Sequence, residues 1–201
     1  MNTNVKVALV FSGAIVLIVI AFIVVAILQA QPPSPETEGS PAPPAASAIR
    51  EDSHILDDGG AGAVTVVEFL DFECEACGAF YPVVEDLRAE FSGQITFAIR
   101  YFPLPGHFNS KNAAIAVEAA FQQGQLEAMY KRKFETQAEW GEAQESRAAL
   151  FRQFAEELGL DLAEYDAAVA DPATAERVQS DFDDGVALGV GSTPTFFVND
   201  R

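Results

Sequence analysis

Phe69-Leu70-Asp71-Phe72-Glu73-Cys74-Glu75-Ala76-Cys77 holds the only two cysteines of the chain, three positions apart. What lies on either side fixes how the pair is held. Upstream, Ala63–Phe72 is rich in β-branched and aromatic residues and follows the breaker Gly59-Gly60, which predicts a buried central strand. Downstream, Phe80, Val83, Val84, Leu87 and Phe91 recur at three- and four-residue steps between Ala76 and Phe91, which predicts a helix with those residues on one face. Pro82 falls inside it and should kink it. The cysteines thus sit at a strand-to-helix junction.

Gln94–Phe102 reads as a second strand, ended by Pro103 and Pro105, so strand, helix and strand make a parallel pair with a right-handed crossover. The pattern then turns helical. Ser110 caps one helix closing at Gly124, Ser146 another closing at Gly159, and Asp161 with Glu164 forms a capping box. Asp171-Pro172 opens a last helix that Gly189 stops. The β pattern returns only at Thr195-Phe196-Phe197-Val198. The expected fold is therefore α/β, with a helical block at about 108–189 inserted into the domain.

Two residues between the cysteines, in a first helical turn, bring the sulfurs within bonding distance, while the helix N-terminus stabilises the first thiolate. Cys74 is expected to be the exposed nucleophile and Cys77 the buried resolving thiol. An inert disulfide would constrain little of the unfolded chain with so small a loop. A zinc site would need further ligands, yet the two histidines, His54 and His107, lie far apart. Glu68 adds to the redox reading. A carboxylate in an apolar strand is costly unless paired, neutralised or functional, and beneath the pair it could accept and return the proton of Cys77. The alternative is that Glu68 points to solvent at a sheet edge. His107 follows a Pro-Gly turn and reads as a capping or surface residue.

The residues outside the fold set its setting. Val7–Leu28 is an uncharged apolar run of 22 residues, long enough to cross a bilayer core of about 30 Å, and reads as a transmembrane anchor over 7–28; a cleaved signal peptide is the rival. Lys6 precedes it and Arg50 is the next basic residue, so residues 1–6 belong in the cytoplasm and the rest outside it. Residues 29–52, with six of the 11 prolines, read as a disordered linker, and 53–201 as the folded domain. With 30 acidic against 12 basic residues the net charge is −18, which excludes nucleic acid and anionic lipid headgroups as natural partners. Its plainest use is solubility; attraction of basic chains is the alternative.

The stretch from Phe69 to Cys77, together with Thr193-Pro194-Thr195 and the passage from Arg100-Tyr101-Phe102-Pro103-Leu104 through Gln123-Gly124, resembles the DsbA-like thioredoxin family. The resemblance runs from about His54 to Val198. It implies a thioredoxin fold with Pro194 as a cis proline facing the cysteines and Thr193 pairing its backbone with the substrate. It places Glu68 where that family keeps a buried acid. By the same resemblance the substrates are unfolded or thiol-containing exported proteins, a membrane quinone-linked protein restores the disulfide, and no cofactor or metal is used. A monomer is expected. Two features depart from the pattern. Glu73 and Glu75 set two carboxylates around Cys74, which predicts a milder oxidant. The chain also stops seven residues after Pro194, where a further strand and covering helix are expected to be missing. A reductase of the same fold and a copper carrier using the cysteine pair are the competing functions, the latter poorly supplied with other ligands.

Overall fold

The computed structural model describes residues 47–201. In chain order the elements are β1 (His54–Asp57), β2 (Val64–Leu70), α1 (Glu75–Glu90), β3 (Ile95–Tyr101), α2 (Ser110–Phe121), α3 (Leu126–Glu135), α4 (Gln137–Trp140), α5 (Ala148–Glu157), α6 (Leu162–Ala170), α7 (Pro172–Ala187) and β4 (Thr195–Val198). The sheet order is β1-β3-β2-β4. β2 and β3 run parallel, in register from Val64 opposite Ile95 to Leu70 opposite Tyr101, with α1 as the crossover. β1 and β4 flank them antiparallel. An α/β domain with its helical block between β3 and β4 is what the sequence pattern predicts.

Alternation along β2 divides the core. Leu70 joins Phe97, Ile99, Tyr101, Cys77 and Val84 on the side of α1 and the inserted helices, while Val67 and Phe69 face the opposite cluster with Ala98, Phe102 and Val190. Some helix ends in the insert follow local chemistry, although the N-cap positions of α2 and α5, Asn109 and Arg147, make no side-chain cap, so neither Ser110 nor Ser146 sits at the cap position the sequence suggests. The Asp161 carboxylate accepts from the amides of Ala163 and Glu164, Asp171 caps α7 ahead of Pro172, and Gly124, Gly159 and Gly189 take positive φ just past α2, α5 and α7.

α1 runs through Pro82, which removes one helical hydrogen bond, to the Gly78 carbonyl. Of the expected core face only Val84 is buried. Phe80, Val83, Leu87 and Phe91 are exposed, and the first three line an open groove with Val66, Phe97, Phe196 and Val198. The inward stripe is Cys77, Tyr81, Val84 and Arg88, where Tyr81 packs on Tyr130 and Phe134, and Arg88 reaches Asp57, Glu85 and Glu127. An arginine whose aliphatic stem is buried and whose head is paired fills a position that hydropathy alone assigns to solvent.

The tail of the expected linker is part of the fold. Arg100, fully buried on β3, donates to Asp181 at 2.6 Å and Asp184 at 2.5 Å on α7, and to the carbonyls of Ser47 and Ala48. Ala48 is itself buried, and Arg50 closes on Asp184 at 2.5 Å. The packed chain therefore starts before residue 53, because a buried guanidinium needs its N–H groups satisfied and residues 47–48 supply two of the acceptors. The rest of that linker and the 7–28 span lie outside the described residues. Among those described, no helix is long and apolar enough to cross a membrane.

Candidate active site

The strand-to-helix turn places Cys74 at the N-cap of α1, with extended backbone (φ −70°, ψ 121°), and Cys77 in the first turn. Both sulfurs are largely covered. Cys77 is 1% exposed and Cys74 6%, so the expected contrast between an open and a closed thiol is reduced to a small difference. The cover over Cys74 is the loop before β4: its Sγ donates to the Thr193 carbonyl at 3.5 Å, and the Thr193–Pro194 bond is cis. Cys74, Cys77, Thr193 and Pro194, far apart in sequence, are brought together.

Cys77 Sγ accepts the Asp71 amide at 3.5 Å. Burial pushes the Cys77 thiol far above its ordinary range, and the Asp71 amide only partly offsets this. Glu68 does not point to solvent. On β2 it pairs with Ile99 on β3 and Phe196 on β4, and its side chain is 2% exposed on the α1 side of the sheet. Its Oε2 is buried without a partner. Burial, with a smaller contribution from the charge of Glu85, pushes the Glu68 carboxyl up to about 8. A buried carboxylic acid that keeps its proton at neutral pH is suited to carrying a proton for a buried thiol.

Several residues to which sequence alone assigns no bracing role hold this arrangement. Asp71, fully buried at the end of β2, accepts from the amides of Glu73 and Leu104 and lies 2.6 Å from His107 Nδ1. Burial raises its pKa against these favourable contacts. His107 is thus neither a cap nor a free surface residue but a partner of Asp71. Glu73 is held by the Asn109 amide at 2.5 Å, and Asn109 in turn binds the backbone of Ala143, Glu145 and Arg147. Gln137 on α4 donates to the carbonyls of Phe72 and Cys74 at 2.8 and 2.9 Å. Gly78 makes room for it: a Cβ there would lie 1.9 Å from Gln137 Oε1. The insert therefore braces the cysteine turn from two sides.

Residues 60–201 match the family model described as Thioredoxin. A thioredoxin-like oxidoreductase from Silicibacter pomeroyi DSS-3 superposes with a TM-score of 0.65 and 26% identity, over 80% of this chain and 87% of its own. Wolbachia pipientis alpha-DsbA1 gives 0.67 at 20% identity over 76% and 78%, and oxidised BdbD from Bacillus subtilis 0.64 at 22% over 74% and 82%. The last two likenesses speak to fold. In sequence, a Na+/H+ antiporter NhaA of Herminiimonas arsenicoxydans is 36% identical over 142 residues. NhaA 3 of Salinispora tropica is 37% identical over 139. The aligned part is 69% of this chain but only 21% and 20% of those proteins, so the chain spans about a fifth of the length of the curated relatives it matches.

Proposed function

The chain belongs to the thioredoxin family, and from that premise we propose that it is a DsbA-like member that oxidises thiols of exported proteins through a Cys74–Cys77 disulfide. The observation that carries the proposal is the pairing at the turn. Two buried sulfurs meet there, that of Cys74 at a helix N-cap against the Thr193 carbonyl and that of Cys77 in the first turn, with the buried acid Glu68 on the same side of the sheet.

The steps follow from that geometry. A substrate thiolate attacks Cys74 Sγ, the bond between the two cysteines breaks, and its electron pair leaves on Cys77. Because burial makes a Cys77 thiolate costly, that sulfur takes a proton, and Glu68 is the donor. A second substrate thiolate then attacks the substrate sulfur of the mixed disulfide and expels Cys74 as a thiolate, whose charge the α1 N-terminus favours. Two substrate thiols become one disulfide and the cysteine pair is left reduced. Thr193, through its backbone, orients the substrate strand against Cys74. Reoxidation falls to a membrane quinone-linked protein. The charge distribution around 7–28 supports an anchored, extracytoplasmic domain for this work. The antiporter activity in the relatives' names belongs to much longer proteins and forms no part of the proposal.

Cys77→Ser should accumulate mixed disulfides with reduced, unfolded substrate through Cys74, while Cys74→Ser should accumulate none. Equal trapping by both variants, or trapping by Cys74→Ser alone, overturns the assignment of the nucleophile.

A further inference from the structure

Next to Cys74 lies a cavity of about 350 Å³ whose walls include Glu73, Glu75, Glu142, His107, Phe108 and Gln144. We propose that it receives the cationic side chain of an arginine flanking the reactive cysteine of the substrate. The proposal rests on the exchange chemistry assigned to Cys74 and deepens it by naming the kind of substrate that site prefers.

Three carboxylates meet there against one imidazole, and that imidazole already faces Asp71. Glu73 is 2% exposed; its Oε2 is taken by the Asn109 amide, whereas Oε1 is buried with no hydrogen-bond partner. Buried acceptors in native proteins are almost always satisfied, so the open one marks a place for a donor. Glu75 and Glu142 lie within hydrogen-bonding reach of each other, which lowers the pKa of the first and raises that of the second, so two like charges are crowded together there. A cation between them relieves that repulsion. Phe108 is 53% exposed at the same wall and offers an aromatic face. A planar guanidinium, able to stack on a ring and donate in a fork to carboxylates, fits this set better than a compact ammonium. A bare metal ion fits it worse: among the described residues no three His, Cys, Asp or Glu side chains are grouped to hold one. Position supplies the link to substrate: Glu73 and Glu75, which line the cavity, flank Cys74 in the chain, so the cavity lies beside the residue to which a substrate cysteine would be joined.

The test uses the full chain and fluorescent peptides in which serine replaces the cysteine, flanked either by arginine or by citrulline, its neutral isostere. The arginine peptide should bind about two- to fivefold tighter at low salt, the range of an ion pair open to water. That preference should shrink in Glu142→Gln and survive unchanged in Glu90→Gln, which removes the same charge at the far end of α1, about 22 Å from Glu75. No preference in the wild type, or equal loss in both variants, overturns the proposal; the second result would assign the effect to the overall −18. Restoring cysteine to the peptides separates this from the underlying reaction. A binding preference without oxidation of either peptide would leave the cavity assigned and sink the oxidase reading instead.

Discussion

Replacing Glu68 by Gln should change how the stability of the reduced protein depends on pH. The carboxyl has a pKa of about 8 in the fold and 4.5 as the ordinary value, so between these limits the folded state holds a proton that the unfolded state has lost. Stability therefore falls as pH rises through that window, by about 1.4 kcal/mol per unit, and levels off above about pH 8. Between pH 5 and pH 7 this single group removes about 2–3 kcal/mol. Gln has the same shape and no proton to lose. Denaturant titrations of the wild type and Glu68→Gln, both kept reduced, should give curves that diverge with rising pH in favour of the variant. Turnover should move the other way: without the donor for Cys77, oxidation at pH 6–7 should slow, by at most about 10²–10⁴-fold. Parallel stability curves would refute the buried, protonated carboxyl, and an unchanged rate would remove Glu68 from the proton path.

Lys133 is fully buried on α3 with no polar partner at Nζ, which sits 2.8 Å from the Phe151 ring centroid with Trp140 and Phe154 beyond. Burial holds its pKa well below the ordinary range. Below the ordinary lysine range unfolding therefore takes up a proton, so Lys133→Met should gain stability over the wild type as pH falls, by about 1–3 kcal/mol at pH 6, with the gap narrowing towards pH 9. A variant less stable at both pH values would show that the aromatic rings bind the amine favourably. Gly78→Ala should displace Gln137 and cost about 1–3 kcal/mol through the two carbonyls it releases. In Gly78→Ala combined with Gln137→Ala the losses should not add, because one interaction is removed twice; additive losses would refute the clash.

What could be read from sequence was what local chemistry encodes. The spacing of Cys74 and Cys77, the β-branched run before them, and the caps at Asp161 and Asp171 each carry their own signal within a few residues. The Thr193-Pro194 pair was legible only through resemblance, since an isolated X-Pro bond reads as a turn. Long-range polar contacts carry no such signal. Gln137 reaches Cys74 across 63 positions, and Asn109 reaches Glu73 across 36. The break between α3 and α4 was also silent: it falls at Thr136, whose hydroxyl bonds the Arg132 carbonyl, with no Gly or Pro to announce it. In α1 the periodicity was right and Phe80, Val83, Val84 and Leu87 do share a face, but of the five expected residues only Val84 is buried, because Tyr81 and the paired Arg88 fill the inward stripe beside it. The tail at 47–52 read as linker because its composition is that of a loop. Its place in the fold is set by the carbonyls that Arg100 draws in.

The most direct test of the central claim is the reduction potential of the Cys74–Cys77 couple, measured by equilibrating the full chain with glutathione buffers. The N-cap position favours a Cys74 thiolate and Glu75, exposed beside it, opposes one, while Glu73 is tied to Asn109. The reduced form is then stabilised only moderately, which predicts a potential between roughly −120 mV, that of a strong oxidant, and roughly −270 mV, that of a reducing thioredoxin. A value inside this interval supports net oxidation of substrate thiols; one at or below the thioredoxin limit would contradict it and make the chain a reductase.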